Sequence, residues 1–399
     1  MSMDRLRALA QDLDPEPIAT LATAMLETWS PPGQEAEMAA LTARALVEAG
    51  AEDVVLDEDV PGSPSVLAHV RSGRPGPTLQ WHGHLDAIVT PQGPVRREGD
   101  VIFGRGAADM KGALAAMVAA VRLLRAAGLP ERGEVLITFH GLHEEGGSVP
   151  LHRLIQRGIR GDAVIIGELG SGRQLVTASR GLTFWDFHVR RQGDSLHETN
   201  APVDVVNPIM AGRVLLDRLA RERDGLAAGT VLPRGSLFVG RFTSGDYYNR
   251  VPIEAHLSGT RRHHADSSLA EVRASLLAIA DEVRGQTGAI IDSDLHGFTE
   301  AYEISPDDRI AQAVRIAHHA LTGEGMVVVT SKATGNAADF VHEAGIPAVY
   351  YGCAYPTAHS DYEQLFVPEL ARVAGVYALA TANFLADGAL APPPLEQAP

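Results

Sequence analysis

A single cysteine, Cys353, in a chain of 399 residues leaves no partner for an intrachain disulfide, so the fold requires no oxidising compartment. Positive charge is scarce as well. The 34 basic residues are outnumbered by 50 acidic ones, a formal net charge of -16. That argues against a nucleic-acid or anionic-membrane surface, since both need clustered Lys and Arg. A small site can still carry its own cations, so an anionic substrate stays open. The opening MSMDRLRALAQDLD has no apolar run of signal-peptide length. The most apolar helical stretch, Ala113 to Leu129, is interrupted by Arg122 and Arg125 and is too short and too charged to span a bilayer. Together these absences favour a cytoplasmic protein with neither a membrane nor a nucleic acid as partner.

What is present is the balance of a soluble globular protein, 45% apolar and 21% charged. The length exceeds what one hydrophobic core usually organises, so two domains are expected. Helical patterns around Ile18–Thr28 and Glu35–Ala49 flank the breaker Ser30-Pro31-Pro32-Gly33. Ser65–Val70 and Thr78–Ile88 read as neighbouring strands joined by a turn. Met110–Ala127 reads as a helix that ends at Gly128 and Pro130. Glu134–His140 and Ala163–Ile166 are short runs of the kind found in buried strands. Strands alternating with helices predict an α/β layer with a largely parallel sheet. Near Gly181 the texture changes to strand, helix, strand, strand, helix, strand, which fits a small α+β domain. After Phe298 the first texture resumes, as if one domain were inserted in another.

Five segments carry the chemistry. In Trp81-His82-Gly83-His84-Leu85-Asp86, strand alternation puts His82, His84 and Asp86 on one face. A histidine with a carboxylate two residues on suits a metal ligand and its orienter, or equally a buried histidine with a polar neighbour. In Gly104–Gly112, Asp109 stands at an expected helix start, where a plain N-cap is the bland explanation. In His143-Glu144-Glu145-Gly146-Gly147, two adjacent carboxylates cannot share one direction. One can bind metal while the other faces substrate as a general base, unless the pair is only a solvated acidic turn. Glu168 and His359 each follow a strand, at the end where open α/β sheets place their sites, or are plain loop-side polar residues. Two histidines and three carboxylates form a mixed N/O set that suits zinc, cobalt or manganese.

The five segments in this order resemble the M20 metallopeptidase family, which includes acetylornithine deacetylase, succinyl-diaminopimelate desuccinylase, aminoacylase and glutamate carboxypeptidase. The likeness covers nearly the whole chain. It implies an α/β catalytic domain over 1–180 and 296–399, with an inserted α+β lid and dimerisation domain over 181–295. It implies two divalent cations, foremost Zn2+ with Co2+ or Mn2+ as alternatives. By motif, His84 and Glu168 match ligands of one cation, Glu145 and His359 ligands of the other, and Asp109 the carboxylate between them. Asp86 matches the orienter of His84, and Glu144 the general base. In the inserted domain His197 resembles the histidine that reaches a partner subunit's site in a homodimer. Asn249 resembles a substrate-contacting asparagine, and Arg261 the arginine that pairs with a substrate carboxylate. Gly335 and Asn336 fall in a further substrate-binding segment.

There are departures from the family pattern. His143 stands where Asp is usual before the Glu pair, His82 is unusual, Asn336 replaces a frequent Asp, and Gly259-Thr260 precede Arg261 where Asp and Ile or Val are frequent. The resemblance implies hydrolysis of an N-acyl amino acid by a metal-bridging water. A carboxypeptidase or dipeptidase acting on a short peptide is the alternative on the same scaffold. A silent binding protein is a third reading, disfavoured by the intact donor set.

Overall fold

The computed structural model describes residues 2–144, 147–170, 172–227 and 235–396. The chain divides into two compact units, Met1–Ala178 with Ile304–Ser331 and Gly335–Pro399, and Ser179–Glu303 with Lys332–Thr334. Each has its own apolar core. The architecture is two-domain α/β, with the second unit an α+β insertion.

The first unit is organised by β1 (Glu52–Asp57), β2 (Ser65–Arg71), β3 (Thr78–His84), β4 (Glu134–His140), β5 (Ala163–Ile166) and β6 (Gln174–Ser179). A further strand, β11, is formed by Ala348–Tyr350 near the end of the chain. Their order is β1-β2-β4-β3-β5-β11-β6, with Val327–Ser331 also paired to β6. β4, β3, β5 and β11 run parallel. β1, β2 and β6 pair antiparallel at the two sides. The sheet is therefore mixed rather than largely parallel, with a four-stranded parallel centre. β5, Ala-Val-Ile-Ile, is buried at every position, as strands covered on both faces are.

Two local expectations are corrected. β2 and β3 are not neighbours, because β4 lies between them. A parallel β3–β4 pair needs a long crossover, and the buried helix Gly112–Ala127 supplies it. Asp109 also does not start that helix. Ala107–Lys111 is a wider turn in which Asp109 has φ -130° and ψ 91°, outside helical geometry.

The inserted unit holds β7 (Gly181–Arg190), β8 (Gly235–Ser244), β9 (Glu254–His263) and β10 (Ile290–Thr299). They form an antiparallel sheet in the order β8-β9-β7-β10. On β7, Trp185, Phe187 and Val189 alternate with more exposed residues and pack with Leu215, Leu219, Leu276 and Ile279 from the helices Pro208–Ala227 and Leu269–Thr287. The second of these helices is fixed at its start by a reciprocal Ser268–Glu271 capping box and at its end by Gly288 at φ 67°. No helix among the described residues is long and apolar enough to cross a membrane.

Candidate metal centre

The parallel strands β3, β4, β5 and β11 all release the chain at one edge of the sheet, and the chemistry-bearing residues gather there. His84 is the last residue of β3, and Glu168 follows β5 by two residues. Glu144 follows β4, and His359 lies in the loop after β11. Leu142, Leu169 and His359 flank this edge in left-handed backbone, with φ of 56°, 57° and 63°. For non-glycine residues such conformations cost about 1–3 kcal/mol each and persist where the surrounding structure imposes them.

Asp109 is the hub. Its Oδ1 lies 3.0 Å from His84 Nε2 and its Oδ2 3.1 Å from His359 Nε2. Glu168 Oε2 is 4.0 Å from His84 Nε2 on the inner side. Glu144 Oε1 is 3.2 Å from His359 Nε2 on the outer side. Asp86 organises two of these groups at once. Its backbone carbonyl lies 3.0 Å from His84 Nδ1, and its Oδ2 accepts the backbone N–H of His143 at 2.9 Å and of Glu144 at 2.8 Å. His143 stacks on His84 with ring centroids 4.3 Å apart and planes 17° from parallel. His84, His143 and Glu168 offer ligand atoms within 4.8 Å of one another, as do His84, Asp109 and Glu144. Glu145 lies outside the described residues.

The electrostatics are those of a crowded anionic pocket. Burial, reinforced by the charge of Asp109, pushes the Glu168 carboxyl up to about 8. Burial likewise raises Glu144. Burial also opposes the Asp109 charge, yet hydrogen bonds from His359 and His84 hold its pKa well down. His359 is raised to about 10, first by Asp109 and then by Glu144. Burial works against a charge on His84, but Asp109 and Asp86 lift its pKa well above the usual histidine value. His143, by contrast, is pushed down to about 3, mainly by burial.

These residues fit divalent cations. Glu168 Oε1 is buried with no hydrogen-bond partner among the described residues, although the carboxylate is 2% exposed. An unpartnered buried acceptor in a cluster of carboxylates and imidazoles is a vacant donor. Imidazole nitrogens that carry protons here are the ones a cation takes in exchange for those protons. Gly335 belongs to the same arrangement. A Cβ there would lie 2.7 Å from Glu168 Oε1 and 2.6 Å from the Tyr350 hydroxyl, so only glycine lets the two approach.

Asn336 is 3% exposed and its amide is committed to protein. It donates to Ser148 Oγ at 2.9 Å and Asp339 Oδ2 at 3.0 Å, and its Oδ1 lies 3.2 Å from His140 Nε2. In the inserted unit His197 and Asn249 come together, with His197 Nε2 3.0 Å from the Asn249 amide. The Thr199 N–H donates to His197 Nδ1 at 3.3 Å. Donor groups thus face both ring nitrogens of His197. Arg261, on β9, is buried, and its guanidinium donates to the Arg262 carbonyl. Burial lowers its pKa, partly offset by the charge of Glu222.

Two residues at the centre escape the sequence reading. Tyr355 donates its phenol hydrogen to Asp109 Oδ2 at 3.0 Å. Glu363, fully buried, accepts from the backbone N–H of Gly106 at 3.1 Å and of Ala108 and Asp109 at 3.0 Å, and pairs with Arg105 at 2.7 Å. The one local signal for Glu363 is its place four residues beyond His359.

An α/β sheet with imidazole and carboxylate donors gathered at its C-terminal edge is the construction of a metal-dependent hydrolase. The chain belongs to peptidase family M20/M25/M40, whose family model matches residues 81–383. It is 28% identical over 319 residues to the succinyl-diaminopimelate desuccinylase of Dinoroseobacter shibae, covering 74% of this chain and 81% of that one. It is 30% identical over 340 residues to the desuccinylase of Stutzerimonas stutzeri, covering 79% and 84%. In fold it is similar to aminopeptidase PepT of Bacillus cereus, with a TM-score of 0.79 at 18% identity over 93% of this chain and 99% of that one. It is similar also to a Bacillus subtilis protein described as a dinuclear metal binding peptidase, with a TM-score of 0.71 at 16% identity over 93% and 98%. The chain is therefore a hydrolase acting on amide bonds with metal dependence.

Proposed function

We propose that the chain is a dinuclear deacylase that cleaves the amide bond of an N-acyl amino acid. The observation that supports it most is the two-sided arrangement at Asp109, which has an imidazole on each oxygen and a further carboxylate beside each imidazole. His84, Asp109 and Glu168 would hold one cation, and Asp109, His359 and Glu145 the other. Zn2+ suits this set best, with Co2+ or Mn2+ as alternatives. Such cations, when bound, lower the pKa of a shared water and polarise the scissile carbonyl.

The chain's own residues do the rest. Glu144, its pKa raised by burial, is suited to take the proton of the attacking water and return it to the leaving amine. Asp86 fixes His84 from one side and the Glu144 backbone from the other, so ligand and base share one orienting group. His197 donates to the carbonyl oxygen as negative charge develops there. In a homodimer formed through the inserted unit it would come from the partner. Arg261, a buried cation, is the residue suited to take the substrate carboxylate, and Asn249, Gly335 and Asn336 are assigned to substrate binding.

The acyl-amino-acid reading is favoured over the peptidase reading by relatives named desuccinylases that match across about three quarters of the chain. The solved peptidases are similar in fold only. Cation-loaded enzyme should release amino acid from acetyl-, succinyl- or aroyl-amino acids faster than it splits dipeptides. Preference for dipeptides would hand the reading to the peptidase, and no turnover of either class would remove both.

A further inference from the structure

The donor cluster is lopsided. His84, Asp86 and Glu168 form a closed inner half, with side chains 2% exposed or less. The outer half opens, and the His359 side chain is 46% exposed. Asp109 joins the halves, with Oδ1 turned to His84 and Oδ2 turned outward. On that outward oxygen sits a second donor besides His359, the half-buried phenol of Tyr355, at 3.0 Å. His359 in turn reaches Glu144 at 3.2 Å. Tyr355 therefore shares one edge with His359, the most exposed member of the cluster, and with the proposed base. The nearby cationic side chains bond to other groups, although Arg105 Nη2 has no partner among the described residues. Arg105 serves Glu363 and the Thr90 carbonyl, and Lys111 donates to the Thr28 carbonyl at 2.8 Å.

We propose that Tyr355 is a further catalytic residue, whose phenol O–H donates to the carbonyl oxygen of the scissile amide as charge builds on it. The proposal rests on the reading of Glu144 as base and Asp109 as the carboxylate between two cations. In the resting site the phenol donates to Asp109 Oδ2. A carboxylate that shares its charge with two cations is a poorer acceptor than a developing oxyanion, so the hydrogen bond turns toward the oxyanion as the amide is attacked. No proton is transferred. The O–H bond stays intact, and the carbonyl oxygen gains a donor that it lacks in the ground state. An interaction stronger in the transition state than before it is the kind that raises kcat rather than lowering KM.

The test compares the cation-loaded wild-type enzyme with Tyr355→Phe, which keeps the ring and removes only the hydroxyl. The readouts are kcat, KM, the cation dissociation constant by chelator competition, and calorimetric binding of a phosphinate analogue of the best substrate. We expect kcat to fall on the order of 10²-fold, with KM and the cation dissociation constant each within about threefold of wild type. The tetrahedral phosphinate should weaken in parallel with kcat, while the amino-acid product binds as before. Unchanged kcat overturns the proposal. So does a loss of kcat that follows loss of cation and is recovered with excess cation, because Tyr355 would then act only by positioning Asp109. Glu144→Gln, measured alongside, separates the two readings. If it keeps turnover, the base assignment fails whatever Tyr355→Phe shows.

Discussion

Glu363 shows how much of this site depends on a residue that no substrate need touch. Its carboxylate satisfies three backbone N–H groups of the Gly106–Asp109 turn and the guanidinium of Arg105, all away from water. One buried side chain thus sets the backbone that aims Asp109. Glu363→Ala would leave Arg105 buried without its counter-charge, a change that typically costs about 3–5 kcal/mol. Loosening the turn should also weaken cation binding by about 10–100-fold, the usual effect of removing an outer partner of a ligand. Urea unfolding and chelator titration measure the two effects. Cation affinity equal to wild type in a folded Glu363→Ala protein would mean that Asp109 is aimed by something else. The same geometry explains why Tyr355 is silent in the sequence and Glu363 nearly so. Their shared partner, Asp109, lies 246 and 254 residues away, and no local pattern marks a bond of that reach.

At the scale of elements, much of the architecture is written in local patterns. The alternating texture of helices and strands, the change near Gly181 and its reversal after Phe298 follow from periodicity. Strand neighbours do not. Ser65–Arg71 and Thr78–His84 look like a hairpin because a short turn joins them, yet Glu134–His140 separates them. That pairing is decided by the burial of a whole crossover helix, a sum over many long-range contacts. The turn at Asp109 is missed for a related reason, since its shape answers to Glu363 rather than to helix propensity. His84, Asp109, Glu144, Glu168 and His359 could be picked out because each sits beside a strand end or glycine-rich turn, and the geometry brings these five together. Gly259, one of the departures from the family pattern, also becomes intelligible. A Cβ there would stand 1.9 Å from the Phe238 carbonyl and 2.5 Å from the Trp185 ring. The bulky Trp185 and the close β8–β9 ladder occupy the space a side chain would need. Gly259→Asp should therefore destabilise the inserted unit by at least the ~1–3 kcal/mol typical of overpacking. Hydrogen exchange should quicken in β8 and β9 while β3 and β4 keep their protection. Unchanged exchange in β8 and β9 would show that the ladder can yield.

Two consequences belong to the molecule as a whole. The first is acid sensitivity. His140 and His318 are each pushed down to about 4, chiefly by burial. Both are neutral in the folded chain and take up a proton on unfolding anywhere between that value and the ordinary 6.5. The unfolded state binds more protons in this window, so the stability is fully present above pH 6.5 and is lost as pH falls toward 4. At full expression His140 contributes on the order of 3 kcal/mol, and the less enclosed His318 less, because solvent screens its charge. His318 lies outside the metal centre, so His318→Gln should flatten the fall in urea midpoint between neutral and mildly acid pH without touching cation binding. An unaltered slope would assign the acid sensitivity to other groups.

The second consequence is assembly. If His197 completes the site of a partner chain, catalysis needs residues from two copies, and neither copy alone carries a whole site. Two inactive variants then become informative together. His197→Ala keeps Glu144 but presents no donor to its partner, and Glu144→Gln keeps the donor but has lost the base. In a mixed dimer one site contains both defects, while the other combines the intact Glu144 of one chain with the intact His197 of its partner. Random exchange makes about half of the dimers mixed, and half of the sites in these are whole, so the mixture should recover about one quarter of wild-type turnover. Recovery should appear only after subunit exchange, and should vanish when the two proteins are mixed under conditions that prevent it. No recovery after demonstrated exchange would place His197 in its own chain's site, or outside catalysis altogether. Full activity in a chain shown by light scattering to be monomeric would exclude the shared site directly.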